Sequence, residues 1–268
     1  MSFFEGLRFR RVSSPIHRLD PRVKFFYVCV LFVITIMFGG TIRKPELLPL
    51  IILFFVQVPL VLVAGVKREW IRSMRGAVFL AVFIFVFNFF FQYIYGNYES
   101  LPLLLEYSFA MVLRFLVLVE SFSIFFLTTS PDHLGLALEQ SHVPYEFCFA
   151  FTTAVRFVPV LAEEAQTIMD AQKARGLELE RGNFIKRIKN YIPLLIPLIV
   201  NAIRRSLELA EAMESRAWGA TEKRTNLYVL TLKNSDYLLV IISILMLILA
   251  VYIRLFLPVP PLTMLLHI

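Results

Sequence analysis

The sequence predicts an all-α integral membrane protein, and three observations carry that expectation. Five apolar runs approach or exceed the length a soluble helix can bury. The basic residues gather on alternate connections between those runs. Ahead of the last run, residues 128–234 carry both signs of charge and keep a helical period. Composition agrees: 58% of the 268 residues are hydrophobic, 15% aromatic and only 18% charged, well away from an ordinary soluble domain.

Residues 1–24 are polar and basic, with Arg8, Arg10, Arg11, Arg18, Arg22 and Lys24, and read as an inner-side arm rather than a signal peptide. The first four apolar runs cover 25–38, 47–66, 77–95 and 103–127. The fifth covers 237–257. All but the first are near the ~20 residues that a helix needs to cross ~30 Å of hydrocarbon. Helices are required because backbone groups in lipid must be satisfied within the segment. The connection after the second run carries Lys67, Arg68, Arg72 and Arg75, whereas 96–100 carries no Lys or Arg. The positive-inside rule therefore puts the N-terminus in the cytoplasm and, with about five spans, the C-terminus outside. Arg43 and Lys44 oppose this and are outvoted. The Pro-rich tail 258–268 falls on the outer face.

The stretch 128–234 is not a span. Ser130-Pro131-Asp132 opens a helix: a serine cap, proline at the first position, an acid in the first turn. That helix ends before Val143-Pro144. A second runs from Pro144 to Arg175, about 48 Å at 1.5 Å per residue, and stops at Gly176. A third runs from Phe184 to Arg216. Ile185, Ile188, Ile192, Leu195, Ile199, Ile203, Leu207, Ala210 and Met213 recur along it in steps of three and four, giving one apolar stripe. Pro193 and Pro197 should kink it. The stripe either packs as a core or lies against another membrane protein.

A local repeat links the two long helices. Asp170-Ala171-Gln172-Lys173-Ala174-Arg175-Gly176 aligns with Glu211-Ala212-Met213-Glu214-Ser215-Arg216-Ala217. Each ends in an arginine between two small residues. A cation there complements the helix dipole as a simple cap. An arginine presented at a helix end can also fork onto carboxylates or carbonyls of a partner.

Catalytic and cofactor signatures are not found. The chain lacks a phosphate-binding Gly-Lys loop and a dinucleotide fingerprint. His17, His133, His142 and His267 lack metal-ligand spacing and read as loop or cap residues, so no metal or cofactor is expected. Cys29 and Cys148 sit in apolar runs and read as small hydrophobes rather than a disulfide. The net charge of +7 belongs to inner loops, so nucleic acid is not an expected partner. Arg114 and Glu120 lie within the fourth span, where an ionisable residue is either functional or a polar contact between helices.

Taken together, these residues resemble the transmembrane T component of energy-coupling factor (ECF) transporters, the EcfT/CbiQ family. Ser14-Pro15-Ile16-His17-Arg18-Leu19-Asp20-Pro21-Arg22-Val23-Lys24 is similar to the family's opening signature, in which Asp20, Pro21 and Arg22 are structural. Thr128-Thr129-Ser130-Pro131, Arg156-Phe157-Val158-Pro159 through Glu163, the Arg175 motif, and Arg204-Arg205 through Arg216 follow in the family's order. The resemblance implies four membrane helices (25–127), three cytoplasmic coupling helices (128–234) and a last span with outer tail (235–268). It implies a non-catalytic subunit of the cell membrane. Its partners are two ATP-binding-cassette (ABC) ATPases of the EcfA type and a membrane-embedded, substrate-binding S component that imports vitamins or other micronutrients. Ala174, Arg175 and Gly176 would dock on one ATPase, and Ser215, Arg216 and Ala217 on the other. The second tip departs from the family's Ala-Arg-Gly, its glycine coming only at Gly219. The alternatives are a dedicated cobalt or nickel importer, a polytopic membrane enzyme using Arg114 and Glu120, and a plain membrane anchor.

Overall fold

Asp20 sets the start of the first long helix. Its backbone is extended (φ −60°, ψ 130°), its carboxylate accepts from the Arg22 N–H, and Pro21 fills the first helical position, where no N–H is needed. The computed structural model describes residues 14–40, 45–95, 100–177, 183–220, 230–256 and 261. Arg8, Arg10, Arg11, Arg43, Lys44, His267, the side chain of Ile185, the connection 96–99 and most of the tail 258–268 lie outside those residues.

The described elements are a 3₁₀ turn at Ile16–Arg18 and eight α-helices. These are α1 (Pro21–Met37), α2 (Leu47–Ala64), α3 (Lys67–Tyr95), α4 (Leu101–Thr128), α5 (Pro131–Gln140), α6 (Tyr145–Ala174), α7 (Phe184–Glu214) and α8 (Asn234–Phe256). The described residues divide into two compact units, one holding 14–137 and 230–256, the other 138–177 and 183–220.

The first unit is a bundle centred on α4, which packs against α1, α2 and α3, while α8 packs on α1. Leu31, Ile34, Leu50, Leu53, Ala110 and Val117 form its main core. Several of its small polar side chains point inward and bond within their own helix. Thr35, Ser108, Ser121, Thr128 and Ser243 each donate to the carbonyl four residues earlier. Gln57, fully buried in α2, accepts from Ser121 of α4 at 2.8 Å. Its outer faces are apolar: Phe79, Phe126 and Leu255 are 82%, 65% and 72% exposed. Polar inside and apolar outside is the arrangement that a hydrocarbon solvent selects.

Two differences from the sequence reading are instructive. The basic stretch after α2 is not a loop: Gly65 (φ 73°) closes α2, and α3 begins at Lys67. Lys, Arg, Glu and Met are good helix formers, and nothing before Gly76 breaks the helix. Five described helices are long and apolar enough to cross a membrane: α2, α3, α4, α6 and α8. The 17-residue α1 falls just short, and α6 enters in its place by length and composition alone.

Candidate docking tips and the roots of the insert

The helices α5, α6 and α7 end in the same way. At α6, Gly176 N–H donates to Lys173 O (2.9 Å) and Leu177 N–H reaches back to Gln172 O (3.0 Å), with Gly176 at φ 86°. This paired bond pattern closes a helix through one left-handed residue. At α7, Ala217 N–H donates to Glu214 O (2.9 Å) and Trp218 N–H to Met213 O (3.0 Å). Ala217 takes the left-handed conformation itself, at φ 58°. The missing glycine has therefore not changed the local geometry of the tip. Alanine holds the same turn against a steric cost of about 1–2 kcal/mol. Trp218 braces it by packing on Phe149 and Tyr145 of α6, with ring centroids 4.5 and 5.4 Å apart. At α5 the left-handed residue is His142 (φ 67°), which makes that histidine a cap.

What separates α6 and α7 from α5 is the residue before the left-handed step. It is Ser141 at α5, but Arg175 and Arg216 at the two long helices. Both arginines are exposed, and neither guanidinium has a hydrogen bond or ion pair among the described residues. Ala174, Gly176, Ser215 and Ala217 are exposed beside them.

The helices α6 and α7 pair as an antiparallel hairpin. Glu164 accepts from Asn201 at 2.6 Å and from Arg205 at 3.2 Å, and Arg205 also lies over the Phe157 ring at 6.0 Å. Gln172 reaches the Pro193 carbonyl at 3.4 Å. Because the pairing is antiparallel, Arg175 and Arg216 sit at opposite ends of the hairpin. Their separation is of the order of the length of the 30-residue α6, about 45 Å. The stripe Ile188, Ile192, Leu195, Ile199, Ile203 and Leu207 is exposed rather than packed.

The opening signature has a different task. The Arg22 guanidinium forks onto the Asp20 carboxylate (3.2 and 3.1 Å) and donates to Leu230 O at 3.4 Å. Asp20 N–H donates to Asp236 Oδ1 at 2.8 Å, and Asp236 Oδ2 accepts from Lys233 N–H at 2.7 Å. Lys24 Nζ donates to Thr128 O at 2.9 Å and to His17 O at 3.4 Å. The signature therefore ties together the end of α4 and the start of α8. Beyond the far end of α1, Glu46 pairs with Arg254 in the last turn of α8, so α1 and α8 run parallel.

Arg114 and Glu120 are not brought together as a reactive site. Arg114 donates to Ile36 O at 3.2 Å, capping α1 from a neighbouring helix. Glu120 is fully buried. Among the described residues no cluster of His, Cys, Asp or Glu could hold a metal. Sequence reasoning missed Asp236, Glu164, Gln172 as a side chain, and Trp218. Only Asp236 left a local sign, an acid in the first turn before an apolar run.

Comparison with known proteins agrees with this architecture. The family model described as "CbiQ: Cobalt transport protein" matches residues 12–228. The energy-coupling factor transporter transmembrane protein EcfT of Thermosediminibacter oceani is 34% identical over 244 residues, covering 84% of this chain and 88% of that protein. EcfT of Acidaminococcus fermentans is 32% identical over 254 residues, covering 90% and 93%. EcfT of Heliobacterium modesticaldum is 33% identical over 238 residues, covering 84% and 88%. The multi-pass, lipid-fitted bundle and these matches along most of its length make the chain a member of the EcfT/CbiQ family, the non-catalytic transmembrane components of ECF transporters.

Proposed function

We propose that the α6–α7 hairpin is the lever of the transporter, docking Arg175 on one ABC ATPase and Arg216 on the other. The observation that carries this is the matched geometry of the two tips, with the same closing bonds and an exposed arginine at the same step. ATP binding and hydrolysis would change the distance between the docked tips. The exposed stripe of α7 would then alter its grip on an S component and favour inward release of its substrate. Such coupling needs two arrangements with different contacts at each surface.

The reading places residues 128–234, with α5, α6 and α7, on the cytoplasmic side. The end of α4 and the start of α8 share one end of the bundle, so the chain between them crosses the membrane an even number of times. If α6 crossed, α7 would have to return. Yet α7 carries Lys189, Arg204, Arg205, Glu208, Glu211 and Glu214, a load that hydrocarbon disfavours. Arg18, Arg22, Lys24, Lys67 and Arg68 gather at that same end, which favours a cytoplasmic N-terminus and an outer C-terminus. In this reading residues 1–24 form the inner arm and α1, α2, α3, α4 and α8 are the five spans. The relatives are named for the ECF transporter without a substrate, whereas the family model is named for cobalt transport.

The test is the double substitution Arg175→Ala with Arg216→Ala in the assembled transporter. Loss of co-purifying ATPases, with the chain still in the membrane, is the expected result. A stable complex with normal uptake would overturn the proposal.

A further inference from the structure

Pro197 has no N–H, so the carbonyl of Pro193, four residues earlier, loses its partner within α7. The side chain that reaches this carbonyl is Gln172 of α6. Gln172 also belongs to the first tip, where its own carbonyl accepts from Arg175 N–H (3.1 Å) and Leu177 N–H (3.0 Å). One residue thus holds the Arg175 turn through its main chain and the broken rung of α7 through its side chain. On the other side of Pro197, Asn201 and Arg205 are held by Glu164. The part of α7 that lacks a helical hydrogen bond is therefore gripped by α6 on both sides. The grips are unequal: two bonds to a carboxylate at 164, and one longer amide bond at 172.

We propose that Gln172 is the strut that carries displacement of the Arg175 tip into α7, bending it at Pro197 while Glu164 holds the rest. Helices bend where a proline interrupts the ladder. The residues around this point, Ile192, Leu195, Ile196 and Ile199, are exposed, so a bend there reshapes the apolar face offered to a membrane partner. The inference rests on the docking role of Arg175. It adds a positioning residue and a hinge that the docking role does not require.

A double-substitution cycle in the complete transporter, reconstituted with its ATPases and S component, tests the strut. Gln172→Leu removes the amide, and Gln172→Glu keeps the shape but removes the donor. Both should leave ATPase co-purification intact and raise ATP hydrolysed per substrate imported by roughly threefold or more. Pro197→Ala returns an N–H to the Pro193 carbonyl, and on that background Gln172→Leu should add no further change. The strut is overturned by a wild-type ratio in both Gln172 variants, by an undiminished Gln172→Leu effect beside Ala at 197, or by loss of assembly in Gln172→Leu. Failure of the docking role reads differently, as ATPases that stay bound when Arg175 and Arg216 are both replaced.

Discussion

The main-chain N–H of Asp20 donates to the carboxylate of Asp236 at 2.8 Å, joining the cap of α1 to the first turn of α8 across 216 positions of the chain. Asp236 is 1% exposed and also accepts from Lys233 N–H. Replacing it leaves the Asp20 N–H buried without an acceptor, at a cost of about 1–3 kcal/mol. Asp236→Ala should lower the thermal midpoint of the detergent-purified protein. Asp236→Asn, which keeps one acceptor oxygen, should fall between it and wild type. Equal midpoints for all three would remove the clasp from the account.

Ala217 gives a prediction of the opposite sign. A glycine at φ 58° escapes the left-handed penalty. Ala217→Gly should therefore stabilise the second tip by up to about 1 kcal/mol and keep ATPase docking. Ala217→Val should weaken co-purification, because a branched side chain resists this conformation more strongly. Quantifying ATPase retained per transmembrane chain distinguishes the three.

Arg114 and Gly39 are coupled by space. A Cβ at Gly39 would fall 2.7 Å from Arg114 Nη1, so the guanidinium would have to leave the α1 carbonyl that it caps. Gly39→Ala should cost about 1 kcal/mol in wild type and almost nothing beside Arg114→Ala. Additive losses in thermal unfolding of the four proteins would contradict the cap.

His17 predicts a pH dependence. Its Nδ1 lies 2.7 Å from the Ser14 hydroxyl, and its pKa is lowered from 6.5, first by burial and then by the positive charge of Lys24. The unfolded chain therefore binds the proton more readily than the folded one. The stabilising contribution is full above 6.5 and is lost as pH falls through the lower folded value. Midpoints measured from about pH 7.5 to about pH 5 should decline, and His17→Gln should flatten the part of that decline due to this residue.

The legible part of the molecule was whatever depends on near neighbours in the chain. Apolar runs mark the helices, Ser130-Pro131-Asp132 marks the start of α5, and the aligned arginines mark the ends of α6 and α7. The second tip was harder to read because a missing glycine looks like a changed turn. Only the bonds from Ala217 and Trp218 show that the turn persists. The basic start of α3 reads as a connection because its charges interrupt the apolar run, although those residues favour helix. Gln172, Glu164 and Asp236 could not be assigned their tasks from sequence, since each acts on a partner in a different helix. Nothing local in 190–200 says that the Pro193 carbonyl will find an amide from α6.

The clasp at the roots has a consequence for how such chains diversify. Asp20, Lys24, Thr128 and Asp236 fix the start of α1, the end of α4 and the start of α8 to one another, whatever the chain between residues 137 and 230 does. Recombination that exchanged residues 138–229 between relatives would leave the compact unit of 14–137 and 230–256 intact.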